Sequence, residues 1–485
     1  MELRLKQRLL ILCCAFAAAA LGANPLASVE LRLTTPLTSY GSKPGTGFES
    51  VVVSSRADNG RVFLPPGTIV RGEVRKRKAV GMGIRHERAS LELEFQEYQL
   101  PDGERFPFEA NLRALDNARE SVTENGAIRG VLAARSPHGY LQGVWHKPSL
   151  ELFQRSFIGL TGVSGKVFTE LSMGPISAAA IFGVRVALFR MAEPEIQLPP
   201  GTEMRIHVMK VPTTAPWFEP PEEMEIDSEL TAALRDRAAD IHRADGRMER
   251  DIINIAFAGT RAELIAAFQL AGWHEADHWS FRTVQRGFMA YNRQAGFATA
   301  PMSKLYYQSR EADLVFQKSL DTMSKRHHIR IWQAEVDGEE IWLGAATHDI
   351  GVTFKEGSFT HRIHPKIDYE REKIVADLAF NGCIDGSAHV DRTRLKREWD
   401  EGLGIVSDGR LAIVSMRDAC SPRDEFALRA GFIKKSPRSG TSGLARRLIL
   451  EGRNYVLRNN VYYMVYDAWR WHRSERIRTA AIMAE

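Results

Sequence analysis

Three consecutive extended segments between residues 325 and 364 constrain the fold more than any other feature of the chain. The first two, KRHHIRIWQAEV and EEIWLGAATHDIGV, are separated by Asp337-Gly338, a pair that favours a two-residue hairpin turn. A turn at this position pairs Arg326 with Asp349 and His327 with His348. The sequence therefore predicts antiparallel strands in the second half of the chain.

A second turn signal, Glu356-Gly357, extends the pattern into the third segment, where Asp349 pairs with His364 and Val352 pairs with His361. Because successive strand residues point to opposite sides of a sheet, the side chains separate into two faces. The polar face is predicted to carry Arg326, His328, Arg330, Thr347, Asp349, Arg362 and His364. The apolar face is predicted to carry Ile329, Ile331, Trp342, Ile350, Val352, Phe354, Phe359 and Ile363, with His327, His348 and His361 as hydrogen-bonded core residues.

The polar face supplies the candidate catalytic and metal-binding residues. His328, Asp349 and His364, with Asp368 from the segment that follows, are oxygen and imidazole ligands of the kind that zinc or manganese accepts. The preferred alternative is a solvated sheet face on which Arg326 balances Asp349, while Asp368 is an ordinary acidic residue at a helix start. Pairing alone does not give ligand geometry, so both interpretations stay open.

The segment PKIDYEREKIVADL predicts a helix that begins at Pro365, because the first helical position needs no N–H. Asp368 and Glu372 lie one turn apart on this helix. Like charges at that spacing repel each other unless a cation lies close. Arg371 or a metal ion is expected to supply the cation.

The string His274-Glu275-Ala276-Asp277-His278 satisfies the H-E-x-x-H pattern of zinc proteases. That chemistry requires both histidines one turn apart on a single helix. Thr260 and Glu263 predict a capping box for a helix that stops at Gly272, and Ser280 is the predicted cap of the next helix. The string therefore falls in a connection between two helices, and a protease is not predicted.

Residues 28–211 are predicted to form an all-β barrel or sandwich, since extended segments alternate with turn residues such as DNG and PDG. The phrase LPPGT occurs at 64–68 and at 198–202, and each copy leads into a strand. The two copies are predicted to be equivalent strand entries. Between them, the small-residue segment 156–191 predicts a helical insertion packed on this domain, with a membrane-contacting segment as the alternative.

The acidic, proline-rich segment 212–227 predicts a linker. Residues 228–485 follow as a second domain, of α+β or α/β class with a mainly antiparallel sheet. The chain is thus predicted to be a multidomain protein.

The first 23 residues predict a secretory signal peptide, because basic residues precede the short apolar run LLILCCAFAAAAL. An uncleaved anchor is the alternative. Export would leave Cys383 and Cys420 in an oxidising compartment, where a disulfide between them is one outcome. Loss of Arg4, Lys6, Arg8 and Glu2 lowers the net charge from +5 to about +3, which indicates no nucleic-acid partner.

The second half resembles the C-terminal domain of LssY-type bacterial proteins from about residue 250 to 380, and the likeness is expected to extend to the C-terminus. The segments that carry it are DIINIAFAGTRAELIAAFQLAGW, TAPMSKLYYQSREADLVFQK, KRHHIRIW, IWLGAATHDIGV and HRIHPKIDYEREKIVADL. The resemblance implies association with membrane phosphatases of the lipid-phosphate type or with secretion. The chain has no P-S-G-H signature, so phosphatase activity is not carried over.

The first half resembles the periplasmic barrel domain of the type IV secretion channel component that reaches the outer membrane. The matching phrases are LPPGTIVRGEV, LELEFQEYQLPDG and PEIQLPPGTEMRIHV. This resemblance implies an envelope module with envelope components or the outer membrane as partners. The expected function is a non-catalytic binding role in the envelope or in secretion, located in the periplasm or at the outer membrane. The alternative is a metal-dependent hydrolase of a phosphorylated or lipid-derived envelope substrate.

Overall fold

The computed structural model describes most of the chain. The described residues are 26–57, 61–83, 86–131, 193–336, 338–355, 358–392, 395–396, 404–421 and 443–450. The predicted signal peptide and the predicted helical insertion at 156–191 lie outside these residues. Among the helices described, none is both long and apolar enough to cross a membrane.

The first half of the chain forms a nine-stranded antiparallel sheet, termed here the first sheet. Its strand order is β7-β11-β1-β3-β4-β5-β9-β8, with β6 paired to β5, while β2 and β10 form a separate ribbon. The strands are β1 (Ala27–Leu33), β2 (Leu37–Thr38), β3 (Gly47–Ala57), β4 (Ile69–Lys78), β5 (Ser90–Gln99), β6 (Arg105–Pro107), β7 (Glu109–Leu115), β8 (Ser121–Val122), β9 (Ile128–Arg129), β10 (Gln197–Leu198) and β11 (Glu203–Lys210). Strand β7 also approaches β5 and β8, so the sheet nearly closes around its apolar core and the predicted barrel-like β fold is confirmed.

The two LPPGT phrases form the same turn at both predicted strand entries. Thr68 donates its hydroxyl to the Pro65 carbonyl at 2.7 Å, and Thr202 donates to the Pro199 carbonyl at 2.7 Å. The glycine before each threonine has positive φ, a conformation that costs glycine little. Strands β4 and β11 begin directly after these turns, as the repeat predicts.

The second half forms an eight-stranded sheet, termed here the second sheet, with helices on its faces. The strand order is β15-β18-β19-β20-β14-β23-β22, with β21 paired to β20, and all pairs are antiparallel except β14 with β23. A smaller sheet has the order β13-β12-β16-β17. The elements are α1 (Ser228–Asp236), β12 (Asp240–His242), β13 (Met248–Ile252), β14 (Ile255–Ala258), α2 (Arg261–Leu270), β15 (His274–Glu275), α3 (Phe281–Arg293), β16 (Tyr306–Tyr307), β17 (Arg310–Glu311), β18 (Leu314–Lys318), β19 (Arg326–Val336), β20 (Glu339–Lys355), β21 (Ser358–Ile363), α4 (Asp368–Phe380), β22 (Ile384–Asp391) and β23 (Arg410–Met416). This mainly antiparallel sheet with a few helices confirms the predicted fold class.

Apolar residues cover the second sheet on both faces. One core packs α2 and α4 on the sheet through residues such as Phe257, Phe268 and Leu378. The other packs α1 and the smaller sheet through residues such as Ile241 and Trp332. Polar side chains of the central strands are therefore buried within the protein, and this burial affects their pKa values and their access to substrates.

The predicted capping box of α2 is present. Thr260 accepts a hydrogen bond from the Glu263 backbone N–H, and the Glu263 carboxylate accepts one from the Thr260 N–H. His274 then lies in the short strand β15, whereas His278 lies in the connection before α3. The two histidines do not share a helix, so the H-E-x-x-H string forms no protease-type zinc site.

The two halves of the chain pack against each other. Phe380 of α4 lies with Val51 and Val53 of β3 in a small apolar cluster. The helical segment 443–450 returns to the first sheet, where buried Arg446 contacts Glu193, Glu195 and the Gly81 carbonyl. Segment 443–450 is therefore held against the first half by buried ion pairs.

Candidate functional site

The first predicted hairpin has the expected register. Strand β19 pairs with β20 so that Arg326 lies opposite Asp349 and His327 lies opposite His348. Because neighbouring strand residues point to opposite faces, Asp349 and His348 belong to different sites.

The predicted pairing of Asp349 with His364 is wrong, because a β-bulge interrupts the second hairpin. Asp349 pairs with Ile363, Gly351 pairs with Arg362, and the register shifts between Asp349 and Gly351. One extra residue in a strand reverses which side chains share a face. His361, predicted to lie on the apolar face, instead places Nδ1 3.3 Å from Asp349 Oδ2. The His364 ring stacks on His348 on the opposite face, with ring centroids 6.3 Å apart.

Asp349 is the centre of a polar group, termed here the Asp349 cluster. It also contains buried Arg326, His328 and Thr347, and half-buried His361, whose side chain is 33% exposed. Arg326 donates from Nε and Nη2 to Asp349 Oδ2 at 3.1 and 3.0 Å. His328 lies between the carboxylate and the hydroxyl, with Nδ1 3.6 Å from Asp349 Oδ2 and Nε2 2.7 Å from Thr347 Oγ1. A hydroxyl, an imidazole and a carboxylate in a row form the arrangement that activates a nucleophile in hydrolases.

The Asp349 cluster is closed to substrates in this structure. Thr347 is 0% exposed and Asp349 is 1% exposed. On the side of Thr347, Asp251 accepts a 2.7 Å hydrogen bond from Arg330 and lies 3.5 Å from the Thr347 hydroxyl. The hydrogen bonds of Thr347 with His328 and Asp251 therefore connect strands within the protein and do not present the hydroxyl to a ligand.

The charges in the Asp349 cluster are balanced internally. Burial lowers the pKa of His328 to about 3 despite the neighbouring Asp349 carboxylate, and burial also lowers the pKa of His361 to about 4. Both imidazoles are therefore neutral near pH 7, and Arg326 is the cation that matches Asp349. A neutral His328 has the protonation state of a general base, but Thr347 is out of reach of any substrate.

Asp368 makes its contacts outside the Asp349 cluster. Its carboxylate accepts hydrogen bonds from the Ser407 hydroxyl at 3.0 Å and the Asp408 N–H at 2.7 Å. Arg371 lies 3.3 Å from Asp368 and 2.7 Å from Glu372, so it supplies the predicted cation between them. Asp368 thus fixes the loop before β23.

The helix begins later than predicted. Lys366 forms a parallel bridge with Val406, and the Ile367 N–H donates to the Val406 carbonyl, so α4 starts at Asp368 rather than Pro365. The bridge between Lys366 and Val406 therefore takes the place of the first helical turn that Pro365 favours.

A second buried group joins the first sheet to α4 and is termed here the interface cluster. It consists of Arg32 and Glu203 from the first half with Lys318, His327, Glu370, Lys373 and Asp377 from the second. Arg32 donates to Asp377 at 2.9 Å, and Lys318 lies 2.7 Å from Asp377 and 2.8 Å from Glu203. Sequence reasoning missed this cluster because its members come from distant segments.

His327 lies between two carboxylates in the interface cluster. Nδ1 is 2.8 Å from Glu370 Oε2, and Nε2 is 3.4 Å from Glu203 Oε2. Burial by itself would lower the pKa of His327, yet Glu370 and Glu203 raise it to about 9. The neighbouring His348 ring stacks on His327 with centroids 4.2 Å apart, and burial together with the His327 charge holds the pKa of His348 well below 6.5. His327 is thus charged near pH 7 and His348 is neutral.

His327, His348 and Glu370 have potential metal-ligand atoms within 4.8 Å of one another. Their surroundings do not suit a divalent cation. Arg32, Lys318, Lys373 and protonated His327 already set four cations against the three carboxylates of Glu203, Glu370 and Asp377. A metal ion would have to displace the His327 proton and remain beside three further positive groups, which is electrostatically unfavourable.

Comparison with known proteins gives one family match. No curated protein matches the chain. The family described as LssY C-terminus matches residues 235–411, which include the whole Asp349 cluster and the α4 side of the interface cluster. Arg32 and Glu203 lie outside the matched region. Residues 235–411 are therefore a domain of the LssY C-terminus family, joined in this chain to a barrel-like β module.

Proposed function

We propose that the protein is an exported cell-envelope protein in which the LssY C-terminus domain and the β module form one non-catalytic binding scaffold. The observation that carries this proposal is the burial of Thr347, His328 and Asp349 in the Asp349 cluster. A nucleophile has to meet its substrate, but the Thr347 hydroxyl is fully buried and hydrogen-bonded to His328. In the same cluster Arg326 donates two hydrogen bonds to Asp349, so these groups link the strands to one another, as in a structural network.

The interface cluster supports a scaffold role for the two halves together. Buried ion pairs between Arg32 and Asp377 and between Lys318 and Glu203 hold the first sheet against the second half. Removing one partner of such a pair leaves a buried charge without compensation. Surfaces on the two halves would therefore be presented to a partner in a fixed orientation.

Two features support export. The first 23 residues have the basic start and short apolar run of a signal peptide. Cys383, at the end of α4, is joined by a disulfide to Cys420, just after β23. Disulfides of this kind persist in oxidising compartments outside the cytoplasm. The resemblance of the first half to a secretion-channel barrel domain is consistent with the same location.

Metal analysis and hydrolase assays of the full chain test the non-catalytic role. Zinc and manganese content is measured together with hydrolysis of a phosphomonoester and of a phosphatidic acid. We expect no stoichiometric metal and no turnover that Thr347→Val, a near-isosteric change that removes the hydroxyl, can abolish. Metal or turnover that is lost in a folded Thr347→Val or Asp349→Asn protein would establish the metal-dependent hydrolase instead.

Export is tested separately by fractionating a Gram-negative host that produces the tagged chain. Protein in the periplasmic or outer-membrane fraction, with an N-terminus created by cleavage near residue 23, is the expected result. An uncleaved chain confined to the cytosol would contradict the envelope assignment while leaving the non-catalytic role intact.

A further inference from the structure

The start of helix α3 presents large apolar side chains to solvent. Phe281 is 86% exposed, Trp279 is 57% exposed and Val284 is 49% exposed. Isolated exposed apolar residues are common on protein surfaces, but these three lie within six residues of one another. Together with Arg282 and Arg286 they are termed here the α3 surface.

The apolar side chains face outward because small residues occupy the inner side of the helix. Among residues 281–286, Thr283 is the buried one, and its hydroxyl bonds to the Ser280 N–H at 2.9 Å. One turn later, a Cβ on Gly287 would lie 3.6 Å from the Met323 side chain, so this side of the helix also packs closely. The face of α3 that carries Thr283 and Gly287 thus packs against the protein. The face that carries Phe281 and Val284 remains exposed and can contact another molecule.

The exposed indole of Trp279 is held in place. Its Nε1 donates to the Met302 carbonyl at 2.7 Å, which fixes the ring while more than half of the residue stays exposed. A rigid aromatic group loses little conformational freedom on binding. The α3 surface is therefore preorganised.

The exposed charge at the start of α3 is positive. It comes from Arg282 and Arg286, because Lys304 and Arg310 farther along the chain are paired with Glu311 at 2.8 Å and Asp313 at 3.4 Å. Arg282 is exposed, and the Arg286 side chain is 59% exposed although it lies 3.7 Å from Asp277. The occupant of the α3 surface should therefore combine an apolar layer with negative charge.

We propose that the α3 surface binds an anionic lipid bilayer, with α3 lying in the headgroup region. Helices that lie on membranes combine aromatic and aliphatic residues with arginines at the headgroup level. Tryptophan is favoured in this zone because its ring is apolar and its N–H is polar. Two copies of the chain meeting symmetrically through this surface would bring like arginines together, which disfavours self-association as the explanation.

The lipid proposal deepens the proposed binding role by naming its ligand class. It is tested by co-sedimentation of the full chain with vesicles of phosphatidylcholine alone and of phosphatidylcholine mixed with phosphatidylglycerol. We expect binding to the mixed vesicles that weakens as salt is added, since screening reduces attraction between arginines and lipid phosphates. This measurement does not depend on export, so failure of either proposal can be recognised separately.

Variants of α3, compared with control variants of α2, test whether the α3 surface is the part of the protein that contacts the vesicles. Phe281→Ser with Val284→Ser should weaken binding to the mixed vesicles by about tenfold or more, because two apolar side chains lose their burial. Arg282→Gln should weaken it by about fivefold. Leu270→Ser and Arg261→Gln, which change exposed residues of α2, are the controls and should bind as the unchanged chain does.

Three results would overturn the lipid proposal. They are failure of the unchanged chain to bind mixed vesicles, full binding by the folded α3 variants, and equal loss in the α2 controls. Concentration-dependent dimers that Phe281→Ser abolishes, without vesicle binding, would identify a second copy as the occupant. Capture of a purified acidic protein without vesicle binding would identify a protein partner.

Discussion

Arg32 of β1 donates a 2.9 Å hydrogen bond to Asp377 of α4, which joins the first sheet to the LssY C-terminus domain across 345 residues of sequence. Both side chains are buried. Asp377 also contacts Lys318 and the Trp273 indole N–H. Burial alone would raise the pKa of Asp377, but Lys318 and Lys373 lower it to about 2. The carboxylate is therefore ionised near pH 7 and joins both halves in one electrostatic network.

Removal of the Asp377 carboxylate is predicted to destabilise the whole chain. Asp377→Ala removes the nearest carboxylate of both Arg32 and Lys318 and leaves Glu203 as their remaining partner. Breaking a buried pair in this way costs about 3–5 kcal/mol. Asp385→Ala is the matched control, because exposed Asp385 pairs with exposed Arg417 at 2.7 Å and such pairs contribute about 1 kcal/mol or less. The free energy of unfolding in urea measures both effects. Equal losses for the two variants would show that the interface cluster adds no stability.

His327 is predicted to make the stability of the chain fall at alkaline pH. Its pKa rises from an ordinary 6.5 to about 9 on folding, so the folded state holds the proton more tightly than the unfolded state. The resulting stabilisation is complete below pH 6.5 and is lost as the pH rises through about 9. Urea unfolding between pH 6 and 10 should show this decline in the unchanged chain, and His327→Gln should flatten it. Parallel pH profiles for the two proteins would refute the assigned charge of His327.

Local sequence patterns were sufficient to predict much of the fold. The LPPGT turns, the capping box of Thr260 and Glu263, and the register between β19 and β20 are all confirmed, because each depends on residues close in sequence. The contacts of the interface cluster could not be predicted in this way. Arg32 and Glu203 carry no local pattern that points to α4, and Lys373 with Asp377 has the i,i+4 spacing of an ordinary exposed helix pair.

The Asp349 cluster was only partly predictable, because one residue decides its composition. A strict alternation assigns His364 to Asp349, whereas the bulge near Gly351 assigns His361. A glycine inside a strand is a common sign of a bulge, and Gly351 was the local signal for it. Burial of the cluster depends on the smaller sheet and its Asp251, which the pattern of the hairpin does not contain.

The disulfide between Cys383 and Cys420 is predicted to stabilise the domain that contains it. It closes a loop with a sequence separation of 37 residues, for which restriction of the unfolded chain gives about 2–4 kcal/mol. Replacing both cysteines with alanine should lower the free energy of unfolding by that amount. A reductant should lower the stability of the unchanged chain equally and leave the double variant unaffected. A free-thiol assay that finds two reactive cysteines in protein recovered from the periplasm would contradict the pairing.

The bulge itself predicts which histidine is energetically coupled to Asp349. His361 lies 3.3 Å from the Asp349 carboxylate, whereas the His364 ring stacks on His348 across the sheet. In double-mutant cycles of Asp349→Asn with each histidine changed to alanine, residues in contact typically show coupling energies of about 0.5–3 kcal/mol. We expect coupling of that size for His361 and less than about 0.5 kcal/mol for His364, which serves as the matched control. The reverse result would require Asp349 and His364 to share a face, and it would restore the unbulged hairpin together with the metal site first predicted on it.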